Sequence, residues 1–265
     1  MPLSLSRAQR ILSISSTSWF VVAVIGQWLF VSYMIAFYGT SVVHNNPESW
    51  NDVVIVGHIP GDYFGNFMFI LHIALAAIIT IGATLQLIPQ LRFSFPRFHR
   101  YNGRLFIYTA IILSLGGLFL VWGRNAMLSL NGGISISLNA ILIIWFCFQT
   151  IRKAKARDFV AHRQWALRAF IVVSGVWFFR VGFMAWIMIN QEAKWSTPNL
   201  DGPFDLIWSY ANYLLPLAIL ELYLLALKRQ KKSTKIMTAS LLFGCTILTA
   251  LGVVAAFLLM WQPNM

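Results

Sequence analysis

Seven stretches of predominantly apolar residues recur along the 265-residue chain, separated by shorter polar segments. An α-helix of about 20 such residues crosses the hydrocarbon core of a bilayer. The pattern therefore predicts an all-α, polytopic membrane bundle with seven transmembrane helices, forming one domain over residues 1–265. The predicted spans run approximately from Trp19 to Tyr38, Phe67 to Leu87, Arg104 to Trp122, Ile134 to Ile151, Trp165 to Ile189, Leu206 to Leu227 and Ile236 to Trp261.

Composition supports a membrane protein, because 58% of the residues are hydrophobic and only 11% are charged. One soluble core cannot bury that much apolar surface. The first span is longer than the apolar part of a secretion signal, so we predict a retained helix. The longest segment outside the spans, Gly39 to Asn66, is too short for a core of its own, and we predict that it forms at most a small cap.

Basic residues are concentrated on one side of the predicted membrane topology. Most of the 20 Lys and Arg residues precede the first span or lie between spans two and three, four and five, and six and seven. The opposite connections carry most of the acidic residues, namely Glu48, Asp52, Asp62, Glu192, Asp201 and Asp205. The positive-inside rule then predicts a cytoplasmic amino terminus, an external carboxyl terminus and a multi-pass protein of the bacterial inner membrane. The net charge of +12 follows from this topology, and no nucleic-acid partner is predicted.

Two similar histidine–arginine motifs stand at the starts of the third and fifth spans. The first is His99-Arg100-Tyr101-Asn102-Gly103-Arg104, and the second is His162-Arg163-Gln164-Trp165-Ala166-Leu167-Arg168. Ionisable groups at membrane depth are costly and usually serve a ligand, a proton or a partner. Small residues follow both motifs at helical spacing, which lets helices approach closely. We therefore predict that His99 and His162 face each other at one depth near the cytoplasmic surface.

Other polar residues fall inside the predicted spans. Helical phase predicts that Arg180 shares one face of the fifth helix with His162, near the opposite membrane edge. Glu221 lies about two turns before the basic connection that follows the sixth span, where it could act as an acid or base in the pocket of the two motifs or pair with Arg168 or Arg104. Arg124, Arg180 and Lys194 are the basic residues that lie towards the outer side.

A weaker metal hypothesis concerns the outer side of the bundle. His72 lies near the outer end of the second span, and His58 and Asp62 precede it. Histidine and carboxylate oxygen can bind divalent metals together. Their spacing matches no strong metal motif, and a hydrogen-bonded histidine that packs within the bundle is the alternative interpretation.

The order of His72 within an apolar helix, His99-Arg100-Tyr101-Asn102-Gly103-Arg104, His162-Arg163-Gln164-Trp165-Ala166-Leu167-Arg168 and Arg180 resembles a bacterial family of predicted membrane proteins, catalogued as domain of unknown function 2306. The resemblance covers about residues 67–189. It implies a membrane protein and supplies no reaction, so a function has to be inferred from the residues themselves.

Three functional hypotheses follow from the two motifs. The first is a redox protein that binds a single haem b through His99 and His162, with Arg100, Arg104, Arg163 or Arg168 on the propionates. The second is binding, transport or modification of an anionic lipid or small amphiphile, or of a quinone, through the same residues. The third is a proton-coupled transporter that uses His72, Arg180 and Glu221. The alternative is that these residues bind no ligand and only extend from the helix ends to the membrane interface. The sequence assigns no enzymatic reaction.

Overall fold

A computed structural model describes residues 6–265, so residues 1–5 of the predicted domain lie outside the described residues. Nine α-helices are described: α1 (Arg7–Val43), α2 (Tyr63–Gln86), α3 (Pro89–Ser94), α4 (Pro96–Leu118), α5 (Leu130–Lys155), α6 (Phe159–Val173), α7 (Gly175–Asn190), α8 (Pro203–Lys228) and α9 (Lys232–Ala256). Short π-helical turns extend α4 over Phe119–Gly123 and α9 over Phe257–Trp261. Two 3₁₀ turns cover Pro47–Asp52 and Gln262–Asn264, and residues 6–265 contain no β-strand.

The helices confirm the prediction of an all-α membrane bundle. Six of the described helices are long and apolar enough to cross a membrane. They are α1, α2, α4 with its π-helical turn, α5, α8, and α9 with the two short turns that follow it. The pair α6 and α7 passes the same test only as a unit bent by 54°, which makes seven spans if the pair crosses the membrane as one. Each of these units coincides with one of the seven apolar runs in the sequence.

The helix packing brings the basic connections to one end of the bundle. Helices α1 and α9 run parallel, because Lys235 bonds to Gln9 and Trp19 bonds to Thr249. Helices α2 and α4 are antiparallel neighbours, as are α5 and α6, while α8 contacts α5, α6 and α7. We call the end formed by the α2–α4, α5–α6 and α8–α9 connections the basic end. The acidic end is formed by the α1–α2, α4–α5 and α7–α8 connections.

The fifth predicted span is broken, which the apolar pattern did not indicate. Helices α6 and α7 meet at Ser174 with a bend of 54°. His162 lies before the break and Arg180 after it, so the prediction that these two residues share one face is wrong. Helical phase is continuous only within an unbroken helix.

Polar side chains from neighbouring helices stabilise this break. Gln27 Nε2 of α1 donates to Ser174 Oγ at 3.1 Å, and Ser174 Oγ donates to Phe170 O at 2.9 Å. Asn139 of α5 donates to Val172 O at 3.1 Å. A backbone carbonyl released from a helix inside a membrane needs such a partner. The bend is therefore a property of three packed helices rather than of the α6 sequence.

Candidate functional site

His162 is positioned by the tight connection between α5 and α6. Arg157 adopts a left-handed conformation (φ 58°) and reverses the chain, and Asp158 then caps α6 by accepting from the Ala161 N–H at 3.1 Å. Lys153 pairs with Asp158 at 3.2 Å. The Ala161 N–H and then Lys153 lower the pKa of the Asp158 carboxyl group. Because Asp158 stays ionised, the cap holds the first turn of α6 and fixes the position of His162.

The imidazole of His162 is oriented by the last turns of α5. Its Nδ1 lies 3.0 Å from Thr150 O, and a carbonyl oxygen can only accept, so Nδ1 carries the proton and donates. Among residues 6–265, Nε2 of His162 has no hydrogen-bond partner. The ring therefore presents one nitrogen that can receive a proton or contact a ligand.

His99 is held by a ladder of amide groups between α2 and α4. Gln86 Nε2 donates to His99 O at 3.0 Å and lies 3.3 Å from His99 Nε2. Asn102 Nδ2 donates to Gln86 Oε1 at 2.9 Å and to Gly82 O at 2.7 Å. A Cβ atom at Gly103 would lie 2.7 Å from Gln86 Nε2, so glycine is needed for this approach. The amide nitrogen of Gln86 thus lies against the Nε2 atom of His99.

The two histidines line one large cavity. The cavity has a volume of about 1850 Å³ and is bordered by residues of α1 to α9. At the basic end it is lined by the group that we call the cationic mouth: Arg92, His99, Arg100, Arg104, Lys155, His162 and Arg163. The structure thus brings residues of both motifs to one cavity. That the two rings face each other at one membrane depth stays a prediction.

The charged residues described on the cavity lining are all basic. Five of the lining residues are Lys or Arg, and none of those described is Asp or Glu. Away from the cationic mouth the walls are mostly apolar and aromatic, with Phe106, Phe170, Trp208 and Leu220 as examples. A polar entrance joined to an apolar interior matches the shape of an amphiphile.

A smaller pocket adjoins the cationic mouth. It has a volume of about 290 Å³ and is lined by Gln86, Leu87, Ile88, Pro89, Arg92 and Arg163. Pro89 and Pro96 occupy the first turns of α3 and α4. Proline is tolerated there because a backbone N–H in the first turn has no acceptor within the helix. The short helix α3 thereby places Arg92 on the lining of this pocket, to which α6 contributes Arg163. Two guanidinium groups from different helices can then face one anion.

Arg168 is placed differently from the other predicted arginines. It is not part of the cationic mouth, and its Nε and Nη2 donate to the two oxygens of Glu221 at 2.6 and 2.7 Å. Its guanidinium also lies 4.6 Å from the ring of Trp165. The predicted pairing of Glu221 with Arg168 is confirmed by these bonds. Because its charge is already matched, Arg168 is unsuited to a second anion.

Sequence reasoning missed two residues of the site, Gln86 and Arg92. Arg92 lies in the basic connection between the second and third runs, where a single arginine carries no periodicity. Gln86 lies at the end of the second apolar run, where nothing in the sequence points to His99. For Arg92 the signal in the sequence is Pro89, which predicts the start of a new helix and hence a defined position for Arg92.

The residues of the weaker metal hypothesis do not form a common site. Asp62 pairs with Arg124 at 2.9 Å, whereas His72 packs beside Gly116 and Gly117 of α4. His58 lies edge-on to the ring of Trp50. Within the chain from residue 6 onward, no three His, Cys, Asp or Glu residues form a group suited to a metal ion.

The comparisons with known proteins give a family without a reaction. No curated protein and no solved structure matches the chain. The family model described as "Predicted membrane protein (DUF2306)" matches residues 69–200. That segment holds both histidine–arginine motifs, the amide ladder between α2 and α4, and the broken span. The chain thus belongs to the DUF2306 family of predicted membrane proteins.

Proposed function

We propose that the protein binds an anionic amphiphile, with its phosphate or carboxylate headgroup in the cationic mouth and its chains in the apolar part of the cavity. The single observation that carries this proposal is the absence of any described acidic residue from the lining of a cavity that holds five Lys and Arg side chains. By the positive-inside rule, the mouth faces the cytoplasm of a bacterial inner membrane. Transport or modification of the amphiphile, and quinone binding, stay predictions.

The chemistry of the mouth suits an oxyanion headgroup. Arg92 and Arg163 border the small pocket from two helices, and guanidinium groups bind carboxylate and phosphate through paired N–H donors. Basic pockets between helices at the cytoplasmic side are a common arrangement for anionic lipids. The apolar remainder of the cavity could accept acyl chains in place of bilayer lipid.

The test is lipid binding to the purified protein in detergent, with dioleoyl phosphatidate as the anionic probe and dioleoylglycerol as its uncharged counterpart. Arg92→Gln combined with Arg163→Gln should weaken phosphatidate binding at least tenfold, because each lost charge-assisted bond is worth about 1.5–3 kcal/mol. Dioleoylglycerol binding should not change. Native mass spectrometry or a radiolabelled lipid gives the measurement.

A matched control separates a specific site from general attraction to a basic surface. Arg97→Gln combined with Arg152→Gln removes the same charge from the same end of the bundle, but neither residue lines the cavity or the small pocket. This control should keep wild-type affinity for phosphatidate. Equal losses in the two double variants, or no loss in either, would contradict the proposal.

Haem b is a second candidate for the same cavity, favoured by the geometry of His162. A histidine that ligates a metal through one ring nitrogen commonly donates from the other to a carbonyl group, as His162 Nδ1 does to Thr150 O. His99 fits less well, because Gln86 Nε2 lies 3.3 Å from its Nε2. The purified protein should then show a Soret absorption band that is lost in His162→Ala. A colourless preparation from haem-replete cells would exclude this candidate.

A further inference from the structure

Arg180 is a second basic site, separate from the cationic mouth. It lies on α7 beyond the break at Ser174, within the fifth predicted span. The residues that follow it, Val181 and Gly182, line the large cavity, but Arg180 does not. Its side chain points instead toward α1, where the guanidinium carbon lies 5.3 Å from the centre of the Phe30 ring.

The charge of Arg180 has no counter-ion among the described residues. No Asp or Glu oxygen of residues 6–265 lies within 4.0 Å of it. Within the same range its one hydrogen bond goes to Val176 O of its own helix at 3.3 Å. Arginine stays protonated, so it cannot escape the cost of burial by becoming neutral. The contact with Phe30 offsets only part of the cost of a charge at membrane depth.

Two tyrosines supply further unmatched donors beside this charge. Tyr33 of α1 stacks on Phe30, whose ring faces the guanidinium of Arg180, and Tyr38 lies further along the same helix. Both tyrosine side chains are buried. Neither hydroxyl group has a hydrogen-bond partner among the described side chains and backbone. Tyrosine O–H groups inside a protein normally find one.

The side-chain inventory shows what is missing from this cluster. A guanidinium group has five N–H donors, and that of Arg180 uses one of them. Two phenol groups add two more donors, and no described acceptor faces them. A carboxylate or phosphate group is the ligand whose oxygens match a guanidinium fork together with hydroxyl donors. The same cluster would not attract a cation or a neutral apolar molecule.

We propose that Arg180, Tyr33 and Tyr38 form a second oxyanion site in the half of the bundle nearer the acidic end, which takes the carboxylate or phosphate group of an amphiphile. The site does not depend on the cationic mouth. It would hold its ligand between α1 and α7, on the far side of the break from His162. One ligand headgroup would supply the counter-charge that Arg180 lacks.

The experiment uses the full-length protein carrying Arg92→Gln and Arg163→Gln, so that the cationic mouth is already weakened. Radiolabelled oleate tests the carboxylate form of the ligand and dioleoyl phosphatidate tests the phosphate form, with oleyl alcohol as the uncharged control. Adding Arg180→Gln should weaken the binding of at least one of the two anions tenfold or more and leave oleyl alcohol unchanged. Tyr33→Phe with Tyr38→Phe should weaken the same anion by a smaller factor. Unchanged binding of both anions in the Arg180→Gln protein would overturn the proposal.

Thermal unfolding of delipidated protein separates binding from folding. Without a bound anion the guanidinium group is unmatched, so Arg180→Gln should unfold at the same temperature as its parent or a few degrees higher. Arg180→Lys keeps the charge without the fork, and it should bind the anion with intermediate affinity. A drop of several degrees in delipidated Arg180→Gln would assign Arg180 a structural role and overturn the site.

Discussion

Gly252→Ala is expected to lower the free energy of unfolding by about 3 kcal/mol, at the upper end of the range for overpacked cores. Gly252 is buried where α9 crosses α7, and a Cβ atom there would collide with the carbonyl oxygen of Val181. The obstacle is backbone of a regular helix and cannot rotate away, so α7 and α9 have to move apart. The melting temperature of the purified protein should fall by roughly 10 °C.

Gly244 provides the matched control on the same helix. It is exposed on α9, and a Cβ atom there would meet nothing within 4 Å. Gly244→Ala should leave stability unchanged or raise it by up to about 1 kcal/mol, because alanine favours helix over glycine. Similar melting temperatures for the two variants would show that α7 and α9 do not pack as described.

The fold followed closely from the spacing of apolar residues, and its exceptions have physical causes. Six of the seven runs are single helices long enough to cross a membrane, because about 20 apolar residues are needed for the crossing whatever the neighbouring helices do. The remaining run is the bent pair α6 and α7. The break at Ser174 depends instead on Gln27 and Asn139, which belong to other helices. No local pattern reports such tertiary partners, and the pair Ser174-Gly175 lies inside an otherwise continuous apolar run.

The candidate site could be predicted only in part, again because some of its features depend on tertiary partners. The presence of His99 and His162 on one cavity followed from the topology, because both lie in the first turns of helices that start at the basic end. The roles of the arginines depended on which helices are neighbours. Arg168 faces Glu221 of α8, whereas Arg163, five residues earlier in the chain, lines the cavity with Arg92. Side chains less than two turns apart on α6 are thus separated into a paired and an open group by their neighbours.

The second large effect is expected at the acidic end, where Arg124 anchors the segment between α1 and α2. Its side chain is only 3% exposed and bonds to Asp62 at 2.9 Å, Asn66 at 2.8 Å and Gly57 O at 3.2 Å. Asp62 also caps α2 by accepting from the Gly65 N–H at 2.9 Å. Asp62→Ala should therefore lower the free energy of unfolding by about 3 kcal/mol, because it leaves a buried charge without its counter-ion.

A double-mutant cycle tests whether the loss comes from the stranded charge or from the cap. Arg124→Met combined with Asp62→Ala should be more stable than Asp62→Ala alone, since no unpaired guanidinium remains. Asp62→Asn keeps an acceptor for the Gly65 N–H and should lose only about half as much stability. Additive losses in the cycle would show that Arg124 does not depend on Asp62. Binding of phosphatidate at the opposite end should be unaffected in all of these variants, because neither Asp62 nor Arg124 lines the cavity.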